Sequence, residues 1–139
     1  MKGLLIGGLG ASLFFGLAGV LAKTTSGTGI GISGYLFFMG VAYMVVATLT
    51  FTSPNLSLNG ALLASMVGAC QAIGMALVLY AVVSFGSPMS QLAPLYNTNT
   101  LVAVILSLVI FSEWQSVNVT KVMIGSLLIV IGSTLVATK

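Results

Sequence analysis

Long apolar runs separated by short polar breaks fill the chain, and the breaks recur at intervals close to one membrane thickness. The first run, residues 3–22, lies between Lys2 and Lys23 and is followed by the Gly-rich stretch TTSGTGIGISG. The second covers about residues 35–51 and ends at SPNLSLNG, where Pro54, Asn55 and Asn59 supply turn chemistry. Residues 60–111 are too many for one crossing, since about 20 apolar residues span a bilayer as a helix. The break falls at SFGSP and gives a third helix over about 60–83 and a fourth over 88–111. SEWQSVN then leads into a fifth helix, about 119–137. Hydrocarbon offers no partner to unpaired backbone groups, so runs of this length are helices. The pattern predicts an all-α, polytopic membrane protein with one transmembrane domain of five helices.

Composition agrees with that pattern. Hydrophobic residues make up 58% of the 139 and charged residues 4%, and mean hydropathy is +1.21. A soluble domain carries roughly a quarter charged residues, so most of this surface faces lipid. The first run has a competing reading as a cleavable leader, with Val20-Leu21-Ala22 before Lys23 as the small-residue site. It is long for such a segment, and it carries small residues at Gly3 and Gly7 and at Gly8, Ser12 and Gly16, ridges suited to helix packing.

Charge adds orientation. Four lysines, Lys2, Lys23, Lys121 and Lys139, and one acid give a net charge of +3. Five crossings place Lys2 and Lys121 on one side and Lys23 and Lys139 on the other, which is no bias. Insertion in both orientations, and with it an antiparallel homodimer, is open to such a chain; equally, four charges are few, and lipid or partner contacts can fix one orientation. No basic cluster tracks a phosphate backbone, so nucleic acid is not an expected partner. There is no His or Arg, and Cys70 is the single cysteine, read as buried filler. Neither a metal-ligand set nor a catalytic triad can be assembled from this inventory, and neither an enzyme nor a cofactor is expected.

The stretch QLAPLYNTNT, residues 91–100, concentrates the polar chemistry. Asn97 and Asn99 fall near the centre of the fourth helix, where an unpaired amide costs several kcal/mol, on the order of the loss of a hydrogen bond in hydrocarbon. Pro94 deprives the Ser90 carbonyl of its helical donor, so the helix should kink or open there. Broken helices at depth occur where they line a cavity. Asn97 and Asn99 would project about 200° apart on an unbroken helix, one holding the fold and the other facing a pathway. Gln71 lies at similar depth in the third helix, and Gln91, Tyr80 and Tyr96 offer an amide, hydroxyls and rings. These six are the candidate substrate-binding residues, and the expected ligand is a small polar or amphipathic molecule. The competing role for the amides is interhelical hydrogen bonding alone.

Other residues read as structural. Glu113 and Trp114 form an interfacial pair, with Glu113 also able to cap the fifth helix. Small residues recur every four positions in the third helix, at Gly60, Ala64, Gly68, Ala72 and Ala76. In the fifth, Gly125-Ser126 and Gly132-Ser133 repeat at a spacing of seven, and Gly125 and Gly132 are candidates for helix packing or a dimer contact.

The segments YAVVSFGSPMSQLAPLYNTNTLVAVILSLVIFSEW and KVMIGSLLIVIGSTLVA resemble the drug/metabolite transporter superfamily, in particular EamA-like permeases. Tyr80-Ala81, Pro88 and Pro94, Glu113, and Gly125 with Gly132 fall where that family has an aromatic-Ala helix end, prolines, a closing Glu and a Gly-rich last helix. FFGLAGVLAK, residues 14–23, is similar to its first helix. The resemblance implies half of a ten-helix fold of two inverted five-helix repeats around a substrate cavity, in a bacterial or archaeal inner membrane. This chain holds one repeat, so a second, oppositely inserted copy would complete it. The family's four-helix relatives carry a membrane-embedded Glu in the first helix, and this chain has none there. The expected function is transport of small metabolites or drugs; the alternative is a non-transporting subunit that assembles with a partner half-transporter.

Overall fold

The computed structural model of the chain describes residue 3 and residues 5–50 and 57–137. The readings that fell on Lys2, Pro54, Asn55 and Lys139 lie outside the described residues. All regular structure among the described residues is helical, and five helices are long and apolar enough to cross a membrane. The chain divides into two compact units, Met1–Gly86 and Ser87–Lys139.

The first unit holds α1, Leu5–Ser26, then α2, Ile32–Leu49, and α3, Leu58–Phe85. The opening of α1, Leu5–Gly10, is a wide π-helical turn around Gly7, Gly8 and Gly10, and Ala11–Ser26 is α-helical. The helix continues four residues beyond the expected end at Ala22. The Thr24 and Thr25 hydroxyls donate to the Val20 and Leu21 carbonyls at 3.1 and 2.8 Å, and Ser26 Oγ to the Lys23 carbonyl at 2.7 Å. Polar side chains that bond their own helix can extend it without meeting lipid unsatisfied. Gly29, at φ +79°, then turns the chain toward α2 in a conformation that glycine adopts without strain.

The Ser57 hydroxyl accepts the Gly60 amide at 3.1 Å and caps α3, while Gly86 ends it in the left-handed conformation. At 28 residues, α3 is about 42 Å long, more than the roughly 30 Å of hydrocarbon it crosses. Only its C-terminal half is well covered: Ala22 of α1 and Leu79 and Val82 of α3 are 1%, 3% and 4% exposed. Every residue from Ser57 to Gln71 is exposed.

In the second unit the fourth span is two helices, α4a, Met89–Tyr96, and α4b, Asn99–Ile110, both packed on α5, Val119–Ala137. A tight turn over Glu113–Gln115 joins α4b to α5 after Ser112, which is held at φ 53°. Ser126 and Ser133 of α5 are buried, whereas a Cβ at Gly125 or Gly132 would meet nothing within 4 Å. The seven-residue repeat packs inside this unit through its serines, and Gly125 and Gly132, candidates for helix packing or a dimer contact, have open space where a Cβ would be.

Candidate functional site

The fourth span opens at its centre. Pro88 starts α4a with extended backbone and accepts the Gln91 and Leu92 amides, both at 3.0 Å. Pro94 lies inside α4a, yet the interruption comes three residues later, at Asn97–Thr98. There the Thr98, Thr100 and Leu101 amides donate to the carbonyls three residues back, Leu95, Asn97 and Thr98, at 3.1, 3.1 and 3.0 Å. The expected opening beside Ser90 is thus displaced. Asn and Thr side chains compete for backbone groups and form helix poorly, so the ladder gives way at NTNT rather than at the proline itself.

This displacement changes the expected division of labour between Asn97 and Asn99. Asn97 ends α4a and Asn99 begins α4b, so an angle computed for an unbroken helix does not relate them. Both are exposed, and Gln91, Pro94 and Tyr96 are half-buried. Among the described residues, the side chains of Gln91, Tyr96, Asn97 and Asn99 hold no hydrogen bond. Asn99 is the eleventh residue of the 22-residue span Met89–Ile110. The break therefore sets two side-chain amides beside a tight turn near the middle of the span.

Gln71 belongs to the other unit, where it is the fourteenth residue of the 28 in α3. The Tyr43 hydroxyl on α2 donates to its Oε1 at 3.3 Å. Tyr43 was not singled out by the sequence; a lone tyrosine in an apolar run gives no periodic signal, and only the helix pairing brings it to Gln71. Tyr80, nine residues beyond Gln71, is about 13 Å further along the helix axis, and its ring packs edge-on against Phe85 with centroids 5.5 Å apart. It sits near the end of α3, away from the mid-span amide. The first unit also encloses a cavity of about 10 Å³ lined by Ser26, Ile30, Ile32, Tyr35, Leu79 and Val83. Such a space holds about one water molecule, far below the roughly 300 Å³ of a small-molecule site.

The capping role considered for Glu113 falls to another residue. The Lys121 amide donates to Asn118 Oδ1 at 3.0 Å, which caps α5. Glu113 is exposed and serves the preceding turn through its backbone carbonyl, which accepts the Ser116 and Val117 amides at 2.9 and 3.2 Å. Trp114 is also exposed, as an interfacial ring would be. Cys70, read as buried, is exposed; the apolar run it sits in faces outward. Among the described residues, no group of His, Cys, Asp or Glu is positioned to hold a metal.

No protein-family model, curated protein or solved structure matches the chain.

Proposed function

We propose that the protein is a transporter of small polar or amphipathic molecules, working as an antiparallel homodimer in a bacterial or archaeal inner membrane. The observation that carries this reading is the break at Asn97–Thr98, in the middle of a span. The backbone amides there are met by carbonyls three or four residues back, but lipid cannot satisfy the two side-chain amides, whereas a water-filled passage can. Asn97 and Asn99, with Gln91 and Tyr96 on α4a, offer neutral donors, acceptors and a ring to an uncharged polar group. The order of prolines, Glu113 and glycines shared with EamA-like permeases supports the same reading, as does the even split of lysines, which favours neither orientation. Alternating access would arise from one copy rocking against the other, with the turn at Asn97–Thr98 as the hinge.

The test is a ligand-dependent thermal-shift screen of the purified protein against amino acids, sugars, nucleosides and amphipathic cations, followed by uptake into proteoliposomes. A binder should stabilise the wild type, since stabilisation grows with ligand concentration over Kd. The Asn97→Ala and Asn99→Ala variants should lose that response while still assembling. If both variants bind and transport normally while the dimer loosens, the amides are interhelical hydrogen-bond partners and the transport site lies elsewhere. If no compound in any class binds or crosses, the non-transporting subunit is the better reading.

A further inference from the structure

We infer that two copies of the chain meet at the middle of α3, crossing in opposite directions with Gln71 on the two-fold axis. This rests on the antiparallel homodimer proposed above and names the seam that holds it.

Gln71 carries an amide whose donors are unmet among the described residues. Oε1 of Gln71 accepts the Tyr43 hydroxyl, while its two N–H donors hold no hydrogen bond among the described residues and the residue is exposed. Other polar side chains on the spans do not share this difficulty. The Ser65 hydroxyl, on the same helix, donates to the Ala61 carbonyl at 2.8 Å, and Thr48 to the Val45 carbonyl at 2.7 Å. The Gln71 carboxamide makes no such bond to its own helix. It is, however, self-complementary, because one Gln71 can donate to the carbonyl of another, which still has a lone pair to offer beyond the one Tyr43 uses.

Position makes the second copy the fitting partner. Gln71 stands at the midpoint of its helix, so two copies inserted in opposite directions bring their Gln71 residues to the same depth. Gly68 and Gly74 lie three residues before and after it, each about 60° round the helix axis. A Cβ at either would meet nothing within 4 Å, so a second backbone can approach on both flanks. The opposite crossing lays Gly68 against Gly74 of the second copy, small against small.

The uneven cover of α3 favours the opposite over the parallel crossing. From Ser57 to Gln71 the helix is bare, whereas Leu79 and Val82 are buried, and Leu79 lies with Ser26 of α1 and Ile32 and Tyr35 of α2 around one small cavity. A parallel pair would set the two covered halves against each other and hold the bare halves apart. An antiparallel pair brings each bare half beside the covered half of the other copy, where α1 and α2 of that copy can close over it.

The experiment uses the full chain in native membranes with Cys70→Ala as background. Gly68→Cys and Gly74→Cys are co-expressed as separately tagged chains and oxidised with copper phenanthroline. The expected result is a mixed disulfide dimer several-fold stronger than either variant gives alone, as a Cα separation of roughly 4 to 7 Å requires. Adding Gln71→Leu to both chains should lower the mixed product about tenfold, within the 1 to 2 kcal/mol range of an interhelical polar contact in membranes. Adding Gln71→Asn, which keeps the amide, should restore most of it. A stronger product from Gly68→Cys alone than from the mixture overturns the inference in favour of a parallel pair. Absence of any dimer band overturns it as well, and means that this face is covered by other parts of the same chain or by another protein. A cysteine placed after Ala137 separates the two proposals: if it is labelled from both sides of the membrane while the α3 cross-links fail, the antiparallel dimer stands with its seam elsewhere. Labelling from one side only removes the antiparallel dimer itself.

Discussion

The Tyr43 hydroxyl on α2 donates to Oε1 of Gln71 on α3 at 3.3 Å, joining residues 28 positions apart in the chain. That distance is long for an O–H···O bond, whose usual value is about 2.7 to 2.8 Å, so the bond is weak and its geometry has room to shorten. Interhelical hydrogen bonds in membrane proteins contribute about 0.6 kcal/mol on average. Tyr43→Phe should therefore lower stability by no more than about 1 kcal/mol. Thermal unfolding of the variant in mild detergent checks this. A loss several times larger would mean that the tyrosine hydroxyl has further partners when the protein is assembled.

Restoring a donor at position 94 should firm α4a while the interruption at Asn97–Thr98, set by the weak helix formers there, stays in place. Pro94→Ala returns an N–H to the Ser90 carbonyl and removes a ring that crowds the preceding turn, a change worth up to about 3 kcal/mol in a helix interior. The variant should be more stable than wild type by about 1 to 3 kcal/mol, with the Thr98 and Thr100 amides exchanging with solvent as they do in wild type. Transport, if the Asn97–Thr98 break lines the pathway, should survive in the same variant. Amide hydrogen exchange read alongside uptake checks this, because slower exchange at Thr98 and Thr100 together with lost transport would make Pro94 the cause of the break.

How much of this was legible from the sequence depends on which physical signal each feature carries. The five spans follow from apolar runs of bilayer length, because the requirement that lipid imposes on the backbone is local. The end of α1 was not legible, since Thr24, Thr25 and Ser26 look like a loop until their hydroxyls are seen to bond the helix beneath them. The interruption of the fourth span was visible in Pro94, but its place was decided by the weaker helix formers that follow. In α5 the spacing of seven identified a repeated face, while spacing alone cannot choose between adjacent Gly and Ser about 100° apart. The partner of Gln71 was invisible because a contact between α2 and α3 leaves no trace in the periodicity of either.

The caps give a clean contrast between residues that are adjacent in role. Asn118→Ala removes the acceptor for the Lys121 amide at the start of α5, and Ser57→Ala removes the acceptor for the Gly60 amide at the start of α3. Each should cost about 1 kcal/mol, the usual effect of losing an N-cap. Glu113→Gln should change stability by less than about 0.5 kcal/mol, as an exposed substitution away from packing does, since its structural contact is made by its backbone. Equilibrium unfolding of the three variants checks the ordering, and a Glu113→Gln loss as large as that of Asn118→Ala would return the capping role to the acid.

The two halves of each Gly-Ser pair in α5 should respond in opposite ways to added bulk. Ser126 and Ser133 are 5% and 4% exposed, packed where α4a and α4b meet α5, so Ser126→Leu or Ser133→Leu forces a large side chain into a filled contact and should cost about 1 to 3 kcal/mol. Gly125 and Gly132 stand one position earlier, with open space where a Cβ would be. Gly125→Ala and Gly132→Ala should stabilise an isolated protomer by about 0.5 to 1 kcal/mol, because alanine restricts the unfolded chain and favours helix. Measured on the assembled protein, the same two variants report on the use of that face. If either glycine forms part of a subunit contact, the alanine should stabilise the protomer yet weaken association, so unfolding and dimer dissociation, followed together, move in opposite directions. Stabilisation with dissociation unchanged would mean that the glycine face meets only lipid and that the second copy is held by another helix.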